Sequence, residues 1–174
     1  YYGETNTNTA SCYSNIAKLL YELNKYEEAY NFYRKTLEID STILGNNHPK
    51  IAKHKLDIGT LLISLNKYDN TLMLFTEALK IYKDFYGEYH PSIITAYNHL
   101  GQYYCNVEVD YTKAIDYYSK SKILAERIYG HNHSMVANAL QNIAYVHSQM
   151  SNLQKAIDFY IESAEITKKF YGEQ

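Results

Sequence analysis

The sequence predicts an all-α chain: an α-solenoid of four helix-turn-helix units forming a right-handed superhelix. Three observations carry this expectation. The breakers recur in register: Gly3, Gly45, Gly87, Gly130 and Gly172 are spaced 42, 42, 43 and 42 residues apart, and Gly59 and Gly101 are again 42 apart. Pro49 and Pro91 keep the same interval, and His48, His90 and His133 keep its phase. A fixed period of this size is the mark of stacked repeats. Each interval also holds two stretches whose apolar residues fall at i, i+3, i+4 and i+7, one face of a helix. Seven glycines and two prolines are too few turn formers for a many-stranded β protein of 174 residues.

The repeats run about 4–45, 46–87, 88–130 and 131–172. In repeat one, Ile16, Leu19, Leu20 and Leu23 make the stripe of a first helix, expected to be buried. Asn24-Lys25 then forms a turn, and a second helix carries Ala29, Tyr33, Leu37 and Ile39 to Gly45. Repeat two follows the same plan with Ile58, Leu61, Leu62 and Leu65, the turn Asn66-Lys67, and Thr71, Phe75, Leu79 and Ile81. Repeat three has Leu100, Tyr103, Tyr104 and Val107, then Ala114, Tyr118, Lys122 and Leu124. One extra residue near Glu108-Val109-Asp110 gives it its longer period. Repeat four has Ile143, Val146, His147 and Met150 before the turn at Ser151-Asn152. Glycine at each second-helix end is expected to adopt the left-handed cap conformation. Pro49 and Pro91 then open a helix where a missing N–H does no harm, with Ser134 in that place in repeat four. The histidines immediately before these starts read as junction residues.

These residues resemble the tetratricopeptide repeat (TPR). Tyr97-x2-Leu100-Gly101-x2-Tyr104 fits the first half of its pattern with Tyr for Trp, and Ala29/Tyr33, Ala114/Tyr118 and Ala156/Tyr160 fit the second. Repeat two departs with Thr71 before Phe75. Ile16-Ala17, Ile58-Gly59 and Ile143-Ala144 hold the pair of positions where helices approach closely. The 42-residue period and the junctions Gly45-Asn46-Asn47-His48-Pro49 and Gly87-Glu88-Tyr89-His90-Pro91 are similar to the kinesin-light-chain and nephrocystin type. Tyr1-Tyr2-Gly3-Glu4, Phe85-Tyr86-Gly87-Glu88 and Phe170-Tyr171-Gly172-Glu173 match one another as repeat ends, so residues 1–174 are expected to be a single array cut from a longer one. Outer faces of repeats one and four are then expected to be as apolar as internal ones.

Composition bounds the function. A net charge of −2, with 17 basic against 19 acidic residues, argues against a nucleic-acid binder. No apolar run approaches the ~18 residues of a membrane span, and no basic leader opens the chain. The absence of a leader and of a disulfide framework points to a cytoplasmic location, with a cytoskeletal or ciliary association as a further expectation. Cys12 and Cys105 show no metal or redox spacing and read as small packing residues. The phosphate loop, HExxH, GxSxG and paired CxxC motifs are missing, so neither an enzyme nor a cofactor is expected. His131-Asn132-His133 reads as a polar turn rather than a metal site, and His147 as a half-buried core histidine. Asn132-His133-Ser134 is a glycosylation sequon without a secretory context.

The resemblance implies a concave groove lined by first helices. By register its columns are Ser11/Lys53/Thr95/Asn138, Ser14/Leu56/Asn98/Gln141, Asn15/Asp57/His99/Asn142, Lys18/Thr60/Gln102/Tyr145 and Glu22/Ser64/Asn106/Gln149. The charges Lys18, Glu22, Lys53 and Asp57 all fall in repeats one and two, whereas amides crowd repeats three and four. A primary amide donates and accepts, so it can pair with both groups of a peptide backbone. Asn98, Gln102, Asn138, Gln141 and Asn142 are the leading candidates for gripping an extended partner chain, with Lys18 and Asn15 beside them. The alternative is a solvated polar face. Asp57, Thr95 and His99 stand where a carboxylate clamp would need cations, so an acidic C-terminal tail is not the expected ligand. The function implied is a non-catalytic protein-interaction module. The alternatives are a structural element of a large cytoskeletal or ciliary assembly, touching its neighbours through convex face and edges, and the sensor region of a larger signalling protein. Its partners would be a protein or peptide segment and neighbouring repeats of a longer chain.

Overall fold

The computed structural model describes residues 6–172. Gly3, the Tyr1–Glu4 repeat end and Glu173 lie outside them. The described residues form eight α-helices and no strand: α1 (Thr7–Glu22), α2 (Tyr26–Leu44), α3 (Pro49–Ser64), α4 (Thr71–Tyr86), α5 (Pro91–Asn106), α6 (Tyr111–Tyr129), α7 (Ser134–Gln149) and α8 (Leu153–Tyr171). The all-α expectation therefore holds. The helices divide between Phe85 and Tyr86 into two compact units, α1–α4 and α5–α8.

Two columns recur in the cores of both units, Tyr33 with Tyr118 and Ile58 with Ile143. In the first unit, Tyr33 of α2 packs with Ala17 of α1 and with Ile58 and Leu62 of α3. In the second, Tyr118 and Ala114 of α6 pack with Cys105 of α5 and with Ile143 and Val146 of α7. Each large side chain buried this way contributes roughly 1.5–3 kcal/mol. The small residue opposite the ring is required by space. A Cβ added to Gly59 would sit 2.3 Å from the Phe75 ring, and one on Gly101 would sit 2.7 Å from the Tyr118 ring.

Helix ends are fixed locally, and here the structure corrects one expectation. Gly45 (φ 79°, ψ 161°), Gly130 (φ 84°, ψ 165°) and Gly172 (φ 83°, ψ 156°) are not left-handed caps. They occupy the extended positive-φ region that is essentially closed to any residue with a Cβ. The left-handed cap lies instead inside each repeat, at Asn24 (φ 58°), Asn66 (φ 56°) and Ser151 (φ 60°). There the Asn24 N–H donates to Tyr21 O at 2.9 Å and the Lys25 N–H to Leu20 O at 2.9 Å, a Schellman pair, and repeats two and four do the same. The inserted residue of repeat three opens this turn, so the Asp110 N–H reaches Tyr104 O at 2.8 Å and Val109 is left at φ 55°.

The junction histidines are N-caps. Nδ1 of His48, His90 and His133 accepts the backbone N–H of Lys50 at 3.2 Å, Ser92 at 3.2 Å and Met135 at 3.1 Å. Two of the rings lie on tyrosines: His90 stacks on Tyr86 at 3.6 Å and His133 on Tyr129 at 4.2 Å. His90 and His133 each thus satisfy an orphan donor of the next helix and pack on the last turn of the previous one, whereas His48 meets the ring of Phe85 edge-on at 5.8 Å.

Two outer helices depart from the expected burial. Ile16, Leu19 and Leu23 of α1 are 39%, 60% and 67% exposed, whereas Ile58 and Leu61 of α3, in the columns of Ile16 and Leu19, are 5% and 0%. Cys12 is likewise exposed, in contrast to buried Cys105. On α8, Tyr160 is 43% exposed while its register partner Tyr118 is 5%. The stripes are buried only where a neighbouring helix pair stands against them.

Candidate functional site

Amide residues crowd one face of the second unit. On α5, steps of four residues place Asn98, Gln102 and Asn106 along one stripe. On α7, Asn138, Gln141, Asn142 and Tyr145 repeat the pattern. Asn98, His99, Gln102 and Asn106 meet Asn142 and Tyr145 around one pocket of about 290 Å³, with Tyr118 of α6 contributing to its wall. Three of the five candidate amides, Asn98, Gln102 and Asn142, thus converge, each half-buried. Asn138 and Gln141 are exposed on α7 and do not line the pocket.

No Asp, Glu, Lys or Arg lines that pocket. None of the five amide side chains hydrogen-bonds any described residue, and Asn98 Oδ1 is buried with no partner. The chemistry on offer is therefore neutral donors and acceptors carried by two helices.

The same columns in the first unit are occupied differently. Lys53 Nζ lies 2.8 Å from Asp57 Oδ2, one turn away. Thr60 Oγ1 donates to Leu56 O at 3.0 Å and Ser64 Oγ to Thr60 O at 3.3 Å. Leu56 is only 2% exposed and belongs to the core, not to a groove. Lys18, Glu22 and Asn15 of α1 stand exposed. In these columns of α3, Lys53, Asp57, Thr60 and Ser64 each have a partner within the helix, whereas the five amides of α5 and α7 hydrogen-bond no described residue.

A buried polar cluster in the first unit went unread in the sequence. Asp40, fully buried near the end of α2, receives His54 Nε2 at 2.7 Å and Lys50 Nζ at 3.1 Å, both from α3. Burial pushes the His54 imidazole below its ordinary pKa against the opposing pull of Asp40. Its Nδ1 is buried with no acceptor, so a second ring proton would be a buried, unpaired donor. The one available signal was register: Asp40 stands where Tyr82 and Ala125 stand, and His54 where Ala96 and Ala139 stand. Elsewhere, His131 Nδ1 lies 3.0 Å from Glu126 Oε1 while His133 Nδ1 serves as a cap, and His147 stacks on Phe159 at 5.5 Å.

Tetratricopeptide-repeat family models match residues 9–50, 50–106 and 110–169. The chain belongs to the tetratricopeptide-repeat family. Among solved structures, BtubC (BKLC) from P. vanneervenii superposes with a TM-score of 0.81 at 20% identity, covering 95% of this TPR chain and 66% of that one. A kinesin light chain candidate from Podosopora anserina, with nearly identical TPR-like repeats, is similar in two structures. One has a TM-score of 0.79 at 12% identity over 97% of this chain and 79% of that one. The other has 0.74 at 13% identity over 95% and 78%. No curated protein matches this chain. The TPR assignment explains the small-residue column at Gly59 and Gly101 and implies protein partners. No helix among the described residues is long and apolar enough to cross a membrane.

Proposed function

We propose that this TPR chain is a non-catalytic protein-interaction module that holds an extended segment of a partner protein against the α5–α7 face. One observation supports the reading most: five amide side chains on that face have no hydrogen-bond partner among the described residues, and three of them surround one uncharged pocket. Backbone N–H and C=O groups of a partner strand are the groups such a surface satisfies without demanding a particular charge. A second reading, a fixed building block of a larger assembly, draws on the exposed apolar stripes of α1 and α8.

The two readings separate by titration. A neutral peptide selected for binding on an array of partner-protein fragments is titrated against the chain and against the double variant Asn98→Ala with Asn142→Ala. At about 0.5–1.5 kcal/mol per net hydrogen bond, the double change is expected to weaken binding roughly ten- to a hundredfold. Its melting temperature is expected to hold, because Asn98 Oδ1 is already buried without a partner and its removal breaks no bond. Unchanged affinity rejects the amide face and leaves the assembly reading ahead.

A further inference from the structure

A second concavity recurs at one repeat position in both units, where the inter-repeat loop and the first helix meet the second helix. In repeat two it measures about 490 Å³ and in repeat three about 300 Å³. The lining residues correspond column by column, but their chemistry is reversed. Repeat two presents Lys55, Glu77, Lys80 and Asp84, and Lys55 is ion-paired with Glu77, so the charges neutralise one another. Repeat three presents Tyr97, Lys120, Ile123 and Arg127 in those same places. Both carboxylates have become cations, and two lysines have become apolar or aromatic.

We propose that the repeat-three concavity is a binding site for an extended acidic-apolar segment of a partner protein, with Arg127 receiving the carboxylate. Lys120 is already engaged by Asp116 at 2.6 Å, and Glu88, the acid in the lining, has an interaction of its own. Arg127 is different. Its Nη1 donates to Tyr89 Oη at 2.9 Å and its Cζ lies 5.7 Å from the Tyr89 ring centre. No carboxylate among the described residues pairs with it. The tyrosine therefore steadies the guanidinium while most of its N–H groups stay open, and a forked carboxylate contact is what that geometry favours. Ile123, 52% exposed, lies one helical turn before Arg127 and shares an apolar floor with Leu124 and Tyr97. Four helical residues advance about 6 Å. Two residues of an extended strand advance about 6.6 Å and point the same way. An acidic residue and an apolar one separated by a single position would thus reach Arg127 and Ile123 together.

The probe is a peptide of sequence acetyl-Ser-Glu-Ser-Leu-Ser-amide, titrated into the isotopically labelled chain and followed by amide chemical shifts. Saturable shifts confined to the Glu88–His90 loop and to the Lys120–Arg127 stretch of α6 are expected. Arg127→Gln is expected to weaken binding roughly tenfold, the scale of a charge-assisted contact. Replacing the peptide Glu by Gln is expected to cost the same against the unaltered chain and nothing further against Arg127→Gln. Ile123→Ser should weaken it as well, while Asn98→Ala with Asn142→Ala leaves it unchanged, so this site and the amide face stand or fall separately. Arg127 is exposed, and a thermal melt checks that the variant is folded. Equal binding of the Glu and Gln peptides, no effect of Arg127→Gln, or no saturable shift up to millimolar peptide would each overturn the proposal.

Discussion

Val109 is a branched side chain held at φ 55° and 57% exposed, where the other three repeats place Asn or Ser. The left-handed conformation costs an ordinary L-residue roughly 1–2 kcal/mol, and asparagine adopts it more readily. Val109→Asn is therefore expected to stabilise the chain by about 0.5–1 kcal/mol, a rise of about 1–4 °C in melting temperature, which calorimetry would detect. His54 makes a prediction of opposite sign with acid. Its folded-state pKa lies below its ordinary value because of burial, so the unfolded chain takes up the proton first. Stability is complete above about pH 6.5, the unfolded-state value, and falls as pH drops from there toward the lower folded pKa. The half-buried His147, also pushed down by burial, acts in the same direction. Denaturant titrations at several pH values should show the loss. A paired change, Asp40→Asn with His54→Gln, should flatten it, and an equally steep profile in that variant would assign the effect elsewhere. Neither residue announced itself by type. Only comparison down the repeat columns reveals that a charge stands where others have Tyr or Ala.

Periodicity made the helices legible, because a buried stripe at 3.6 residues per turn leaves its mark in any amphipathic helix. The count of four two-helix repeats followed from breakers in register. Which stripe is actually covered did not, since the same pattern marks a helix packed on a neighbour and one that is not. Leu19 and Leu61 are equivalent in sequence and are 60% and 0% exposed. The face of α8 has the residue types with which α6 packs on α7, and α1 has those with which α7 receives it. At raised concentration, sedimentation is accordingly expected to show head-to-tail self-association through α8 and α1, reversed by Leu19→Glu or Tyr160→Glu. A single monomeric species at every concentration would refute it. The candidate site was legible in the same partial way. Register placed the amides on one face, but it put Leu56 there too, because repeat phase alone does not report how far a helix turns into its neighbour. The junction concavity, built from a loop, the helix that follows it and the next helix, matches no short motif and left no local signal.

On the scale of the whole molecule, four hairpins of one plan pose a problem of pairing. Every second helix carries a ring that fits the small residue of some first helix, so a folding chain meets several almost equivalent ways to stack, the usual route to misassembly in repeat proteins. The Asp40, His54 and Lys50 cluster breaks that equivalence. If α2 docked on α5 or α7 in place of α3, Asp40 would face Ala96 or Ala139, with Ser92 or Met135 in the place of Lys50, and would lie buried with no cation, an error on the order of 3–5 kcal/mol. The cluster works as an address label: it adds little to the correct pairing beyond what an apolar pair would give, and it makes the incorrect ones costly. Replacing Asp40 by Ala and His54 by Leu should then leave the melting temperature nearly unchanged while lowering the refolded yield after dilution from denaturant. Full recovery in that variant would mean that the breakers alone direct which helix meets which.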